Sequence, residues 1–136
     1  MSVQIIKKLC RLHLAELIPA LPTAYEGMPF EVPSSGLYQR LQFVVQQPDD
    51  PTLGLGYYRE RLEMQLFIVG PAGVGTSEVD TYAEQLRLHF RKGTVMVQDS
   101  IRVHVLRTPK ISGTAVVQNR VMIPVLIDIV GEIYSN

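Results

Sequence analysis

The sequence has little of several features that would indicate a particular chemistry or location. Cys10 is the only cysteine, which excludes an intrachain disulfide and is typical of a reducing compartment. Basic and acidic residues number 13 each, so the net charge of zero gives no general attraction to nucleic acid or to an acidic membrane. No apolar run approaches the roughly 18 residues of a membrane span, and Lys7, Lys8 and Arg11 interrupt the N-terminal apolar pattern, unlike a signal peptide. We therefore expect a soluble, unprocessed protein with no membrane partner.

Side chains with catalytic or metal-binding chemistry are few and unfavourably spaced. His13, His89 and His104 are far apart in the sequence and form no HxxxH or CxxC spacing, so we expect no metal site. Cys10 falls on the apolar side of a predicted helix, where a buried and inert thiol is the usual outcome. No set of residues meets the geometric requirements of a catalytic centre. The sequence thus indicates a protein that is not an enzyme and that has no cofactor.

Length and hydrophobic pattern favour one α+β domain covering residues 1–136. The 46% of hydrophobic residues suffice to build a single core. Apolar periodicity predicts helices over residues 2–17 and from Ser77 to Gly93. Alternating patterns predict strands at residues 38–46, 58–69, 95–97, 101–107 and 120–133, with loops at residues 47–57 and 108–119. Because only one helix falls between strands, we expect a mostly antiparallel sheet with two helices packed on one face.

A few residues sharpen this prediction. The apolar arc of the first helix contains Ile5, Ile6, Leu9, Cys10, Leu12 and Leu17, and His13 falls on the same side as a hydrogen-bonded core residue. Ser77 is the expected N-cap of the second helix, with Asp80 completing a capping box. Leu88 falls on the charged, exposed side of that helix. Pro124 cannot donate a ladder hydrogen bond, so it predicts an edge position or a bulge in the last strand.

One segment partly matches a nucleotide-binding motif. Residues 70–77 read GPAGVGTS, follow a strand and open a helix, as a P-loop does, but Thr76 stands where the motif needs lysine. Thr76 cannot supply the charge that neutralises phosphates, and the chain lacks the crossover helices of a parallel sheet. Asp128 ends a run that resembles the strand carrying the magnesium-binding aspartate, which is a common pattern. We therefore interpret residues 70–76 as a tight turn.

Charge is uneven along the second half of the chain. Residues 85–120 contain seven basic side chains and a single acid, Asp99. Acids from other parts of the chain folding over this segment would explain the pattern. A basic face toward DNA or an acidic partner is the alternative.

Short stretches along most of the chain resemble bacteriophage tail terminator-like proteins, related to the minor tail protein that finishes the tube in lambda-like phages. Their order and spacing carry the resemblance over residues 20–130. They are residues 21–27 (LPTAYEG), 29–30 (PF), 38–40 (YQR), 51–54 (PTLG), 58–61 (YRER), 71–73 (PAG) with 75–76 (GT), 107–109 (RTP) and 123–125 (IPV).

This resemblance implies a structural virion protein of the phage tail, made in the cytoplasm of the bacterial host. It implies a ring, commonly a homohexamer, that docks on the last ring of tail tube protein and stops polymerisation. The ring would then form the joint to a head-completion protein. DNA would pass through the central channel without specific binding.

A closed ring needs two different complementary patches, and the sequence offers candidates for them. The loop over residues 48–58 is long, apolar and poor in charge, so it either reaches a neighbouring subunit or the tube, or folds back on its own core. Arg59 and Arg61, with Glu60 and Glu63, either form ion pairs between subunits or simply lie on a solvated strand face. The candidate interface residues are Leu53, Leu55, Tyr57, Tyr58, Arg59, Arg61 and Leu88, and the candidate basic residues facing a channel are Lys110 and Arg120.

Rival functions make different predictions. Another head–tail joining protein or a tube subunit is the first alternative, and a tube subunit would form long stacks alone. A small nucleotide-binding protein would bind ATP tightly. A nucleic-acid-binding protein that uses the basic segment over residues 85–120 would bind random DNA in a salt-sensitive way.

Overall fold

A computed structural model describes residues 2–73 and 75–134 and confirms the α+β class. Two helices, α1 (Ser2–Ala15) and α2 (Ser77–His89), accompany one eight-stranded sheet. Its strands are β1 (Thr23–Ala24), β2 (Tyr38–Val45), β3 (Tyr57–Pro71), β4 (Val95–Gln98), β5 (Ile101–Val105), β6 (Lys110–Ile111), β7 (Ala115–Val117) and β8 (Arg120–Tyr134). The order is β1-β2-β3-β8-β5-β4, with β6 and β7 also paired to β8. Within the described residues, β1 with β2 is the only parallel pair.

Two 15-residue strands form the centre of the sheet. β3 and β8 pair along their whole length, from Tyr57 opposite Tyr134 to Pro71 opposite Arg120. Successive side chains point to opposite faces, so Leu62, Met64, Leu66 and Ile68 of β3 share one face and are buried. We call this the helix face. The opposite face, which carries Arg61, Glu63, Gln65 and Phe67 and is half-buried along β3, is called the open face.

Two glycines let the helices approach the sheet. A methyl group on Gly131 of β8 would overlap the side chain of Ile6 of α1. A methyl group on Gly70 of β3 would lie 3.0 Å from the side chain of Val79 of α2. Since Gly131 and Gly70 belong to the same face of the sheet, both helices pack on that face, as predicted.

The first helix differs from its prediction in length and in the residues it buries. It ends at Ala15, two residues earlier than expected, before the prolines that follow. Ile6, Leu9, Cys10 and Leu14 are the buried positions, whereas Leu12 is 53% exposed. The prediction for Leu12 was wrong because it lies at the margin of the apolar arc, away from the side that packs on the sheet.

Burial determines the chemistry of the single thiol. Cys10 is fully buried, and this raises its pKa from 9.0 to about 12, while nearby Arg11 acts weakly in the opposite sense. The reactive thiolate is therefore scarce in the native protein at pH 8. We expect Cys10 to react with a thiol reagent at least about 100-fold more slowly in the native protein than in 6 M guanidinium. The pKa of Cys10 is higher in the folded protein than in the unfolded chain. The stabilising effect of the buried thiol is therefore complete below pH 9 and is lost as the pH rises toward 12.

The second helix begins and ends differently from its predicted caps. Thr76, not Ser77, is the N-cap. The Thr76 hydroxyl donates a hydrogen bond to Asp80 Oδ2 at 2.9 Å, in place of the capping box predicted for Ser77 and Asp80. The helix ends at His89 with Phe90 as the C-cap. Gly93, at a φ of 89°, forms the turn into β4, where its N–H donates to the Val105 carbonyl.

The last strand lies inside the sheet, which corrects the edge or bulge predicted from Pro124. Pro124 is paired with Phe67 on β3. Its carbonyl accepts a hydrogen bond from the Ser112 N–H at 2.9 Å and so points away from β3. Because the nitrogen and the carbonyl of one residue point to the same side in an antiparallel strand, the Pro124 nitrogen also points away from β3, between β6 and β7. No ladder bond is lost there. The predicted loop over residues 108–119 contains these two short strands.

Candidate assembly surface

Among the described residues, the most exposed large apolar side chains lie on the connection between β2 and β3. We call residues 46–56 the β2–β3 loop. Leu53 and Leu55 are 104% and 101% exposed, as open as in an extended peptide. Of the two outcomes left open by the sequence, folding back on the core is excluded for these two side chains. The apolar tip is available for a contact outside the chain.

The base of this loop is held firmly. The backbones of Asp49 and Arg59 exchange two hydrogen bonds of 2.8 Å, and the Asp49 carboxylate accepts a hydrogen bond from Arg61 at 2.8 Å. Arg59 lies 3.9 Å from the same carboxylate. Asp49 was not among the candidate residues taken from the sequence, so this anchor was missed. The available signal was the opposite charge at the two ends of one loop.

Arg59 and Arg61 thus make ion pairs within their own chain. Both lie on the open face, whereas Glu60 lies on the helix face and is 7% exposed. Glu63 accepts a hydrogen bond from Gln65. Ion pairs between subunits through Arg59 and Arg61 would compete with these Asp49 contacts.

The two tyrosines at the start of β3 have different surroundings, because adjacent residues on a strand point to opposite faces. On the open face, Tyr57 donates to Glu132 Oε1 at 3.1 Å, and its ring lies 4.7 Å from that of Tyr134. Its withdrawal from water and this hydrogen bond raise the pKa of Tyr57. Tyr58 packs against the core, and its hydroxyl lies 3.5 Å from the Ser2 hydroxyl.

Leu88 lies on α2, apart from the β2–β3 loop, and is 70% exposed, as its helical position predicted. The seven interface candidates are therefore divided among the loop tip, the open face, the helix face and α2. The structure brings Arg59 and Arg61 together around Asp49 but does not gather all seven on one patch.

The two basic candidates for a channel surface are separated and unequal. Lys110 is exposed and pairs in register with Leu126, which is six residues along β8 from Arg120 and so roughly 20 Å away. Arg120 is half-buried, donates to the Pro33 carbonyl at 3.3 Å and lies over the Tyr38 ring at 5.5 Å. Of these two side chains, Lys110 is the one whose charge is exposed to solvent.

Acids from outside the basic segment neutralise part of it. Arg107 pairs with Asp128 at 2.8 Å, and Arg87 lies 3.7 Å from Glu84. Arg91, Lys92 and Arg102 remain exposed. The excess positive charge is therefore reduced but not eliminated.

The segment that resembles a P-loop does not have the surroundings of a nucleotide site. It follows β3, whose neighbours β2 and β8 are both antiparallel to it. Asp128 pairs in register with Glu63, eight residues and roughly 26 Å along β3 from Pro71, where the turn begins. Asp128 is also bound to Arg107. Val74, within the predicted turn, lies outside the described residues.

Folding brings together two histidines that the sequence separates by 76 positions. The rings of His13 and His89 stack with centroids 4.1 Å apart, and each Nε2 lies within hydrogen-bond distance of the other residue's carbonyl. This confirms His13 as a hydrogen-bonded residue beside the core. It also occupies both Nε2 atoms, and no group of three metal-binding side chains occurs in the described part of the chain.

Comparison with known proteins agrees with this geometry. A family model described as phage tail terminator protein matches residues 5–128. The chain belongs to this family. A phage tail terminator protein is a structural component of the virion, so the chain is assigned to the phage tail and not to an enzyme family. The finer relationship to the minor tail protein of lambda-like phages stays a prediction.

The fold of this terminator family member has a solved counterpart. One experimental structure aligns with 100% of this chain and 99% of its own, at a TM-score of 0.78 and 21% sequence identity. That similarity shows the fold alone. A search of curated proteins gave no match. None of the helices described here is both long and apolar enough to cross a membrane.

Proposed function

We propose that this terminator closes the end of the phage tail tube as a ring of identical subunits, with six the expected number. The ring stops addition of further tube protein and presents its other side to a head-completion protein. DNA passes through its channel without specific binding. Membership of the terminator family over residues 5–128 is the observation that carries this proposal.

The β2–β3 loop supports self-association. Two fully exposed leucines on an anchored loop favour docking, because burying a leucine side chain contributes roughly 1.5–3 kcal/mol. In a ring of more than two subunits, the loop must dock on a different surface of its neighbour. Such a heterologous contact generates a ring when the rotation closes. Leu88, exposed on α2, is a separate candidate for contact with the tube or another subunit.

The channel surface is proposed to remain weakly basic. Lys110 is suited to brief contact with passing phosphates, whereas tight contacts would hinder the movement of DNA. Arg120 is held by Pro33 and Tyr38 and contributes mainly to structure in the isolated chain.

Mass and tube length together test the proposal. We expect light scattering across protein concentration to give one discrete oligomer near six subunits, and addition of the protein to growing tail tubes to fix their length in electron micrographs. Long stacks formed by the protein alone would instead assign it as a tube subunit. Tubes that keep growing with the protein bound to them would contradict a terminating role.

A further inference from the structure

An open-face cavity lies at the end of the sheet opposite the β2–β3 loop. It has a volume of about 370 Å³ and is lined by side chains of β2, β3, β7 and β8. Phe67, Val69 and Met122 give it an apolar surface, and Tyr38 closes it on the β2 side. No helix of the described chain packs over this face, although Phe30 of the connection before β2 lies with its ring 5.5 Å from that of Tyr38. The cavity is therefore an open apolar recess on a protein surface.

The charge of the cavity is positive. Arg40 and Arg120 line it, and its described lining includes no acidic side chain. Arg40 is exposed and takes part in none of the ion pairs of the described residues. An apolar segment that carries a carboxylate would complement this recess in both respects.

The β2–β3 loop has these complementary properties. Its tip presents Leu53 and Leu55 to solvent, and its residues include two acids and no lysine or arginine. Asp49 is bound to Arg61, which leaves Asp50, exposed and in no ion pair of the described residues, to meet an external cation. Leucine side chains on a short turn are of a size to enter a recess of this volume.

The loop does not fill the cavity of its own chain, because both leucines of its tip are fully exposed. β2 runs from Tyr38 at the cavity to Val45 at the loop, seven residues or roughly 23 Å away. The two surfaces therefore lie at opposite ends of the same sheet. This is the arrangement that a head-to-tail interface between identical subunits requires.

We propose that the Leu53–Leu55 tip of one subunit docks into the open-face cavity of the next, with Asp50 facing Arg40. This inference rests on the proposed ring and identifies its repeating contact. Each subunit supplies one loop and one cavity, so the contact propagates in one direction until the ring closes.

Disulfide trapping tests the contact directly. Leu53→Cys combined with Val117→Cys places one thiol on the loop tip and one on the cavity wall, and Val117 is 47% exposed. The buried Cys10 does not interfere. Under oxidised glutathione, which is reduced as the thiols couple, we expect covalent oligomers to form at least tenfold faster than in a matched control. The control, Leu53→Cys with Glu84→Cys, places the second thiol on α2, on the other side of the sheet.

A charge-reversal pair gives a second readout. Arg40→Glu and Asp50→Lys should each slow cross-linking of the Leu53→Cys, Val117→Cys protein several-fold, and the two together should restore it. Equal cross-linking rates for the Leu53→Cys, Val117→Cys protein and the Leu53→Cys, Glu84→Cys control would overturn the proposed contact.

Light scattering of the wild type separates the two proposals. A discrete wild-type ring with no preference for the cavity pair refutes only the loop-in-cavity contact. Preferential cross-linking of the Leu53→Cys, Val117→Cys protein, together with a wild type that stays monomeric, supports the contact and argues against unaided ring formation.

Discussion

Replacement of Phe90 with alanine is expected to lower the free energy of unfolding by about 3–5 kcal/mol. Phe90 is fully buried at the end of α2, and its ring meets the His13 ring edge-on at 4.8 Å. Alanine would leave a cavity between the C-terminal ends of the two helices and remove the support of the stacked histidines. Because a domain of this size is stable by roughly 5–15 kcal/mol, the loss is a large fraction of the total. Urea denaturation of the monomer, with the midpoint read at unchanged m-value, measures it.

Leu88→Ala is the matched control for this prediction. Leu88 lies two residues earlier on the same helix and is 70% exposed. Its replacement should change the free energy of unfolding by no more than about 0.5 kcal/mol. A Phe90→Ala protein within 1 kcal/mol of wild type would contradict the packing described for this end of α2.

The second large effect is expected on assembly. Replacement of both Leu53 and Leu55 with serine should weaken each contact between subunits by at least about 100-fold. The reason is that each leucine loses roughly 1.5–3 kcal/mol of burial and 1.4 kcal/mol corresponds to tenfold in affinity. Stability of the monomer should be unchanged, because both side chains are fully exposed within the chain. Light scattering across concentration and thermal unfolding of the same samples measure the two quantities.

Leu12→Ser controls for a general loss of exposed apolar surface. Leu12 is 53% exposed on α1, away from the loop, and its replacement should leave assembly intact. Equal weakening by the Leu12 and the loop substitutions would show that the loop makes no special contribution. A loop variant that assembles like wild type would remove the β2–β3 loop from the interface.

Local sequence patterns were sufficient wherever a single physical rule dominated. Strict alternation along β3 predicted which residues face the core, since a one-residue shift in register would expose all of them. The missing lysine at Thr76 and the single helix between strands correctly argued against a P-loop. The order of the short motifs identified the terminator family, which the match over residues 5–128 confirms.

Predictions failed where a residue's role depends on a partner distant in the sequence. Pro124 is tolerated in the central strand because its nitrogen falls between β6 and β7, and the chain's own pattern cannot show that gap. The caps of α2 also differ from the predicted ones, with Thr76 in place of Ser77 and Phe90 in place of Gly93.

The sequence by itself therefore determined the class of fold, the family, and the apolar character of the β2–β3 loop. These depend on composition, period and order along the chain, which are properties of neighbouring residues. Only the tertiary structure decided that Asp49 anchors the loop, that His13 stacks on His89, and that an open-face cavity with Arg40 lies at the far end of the sheet. Each of these arises from side chains on different elements, whose proximity is set by strand register and helix packing.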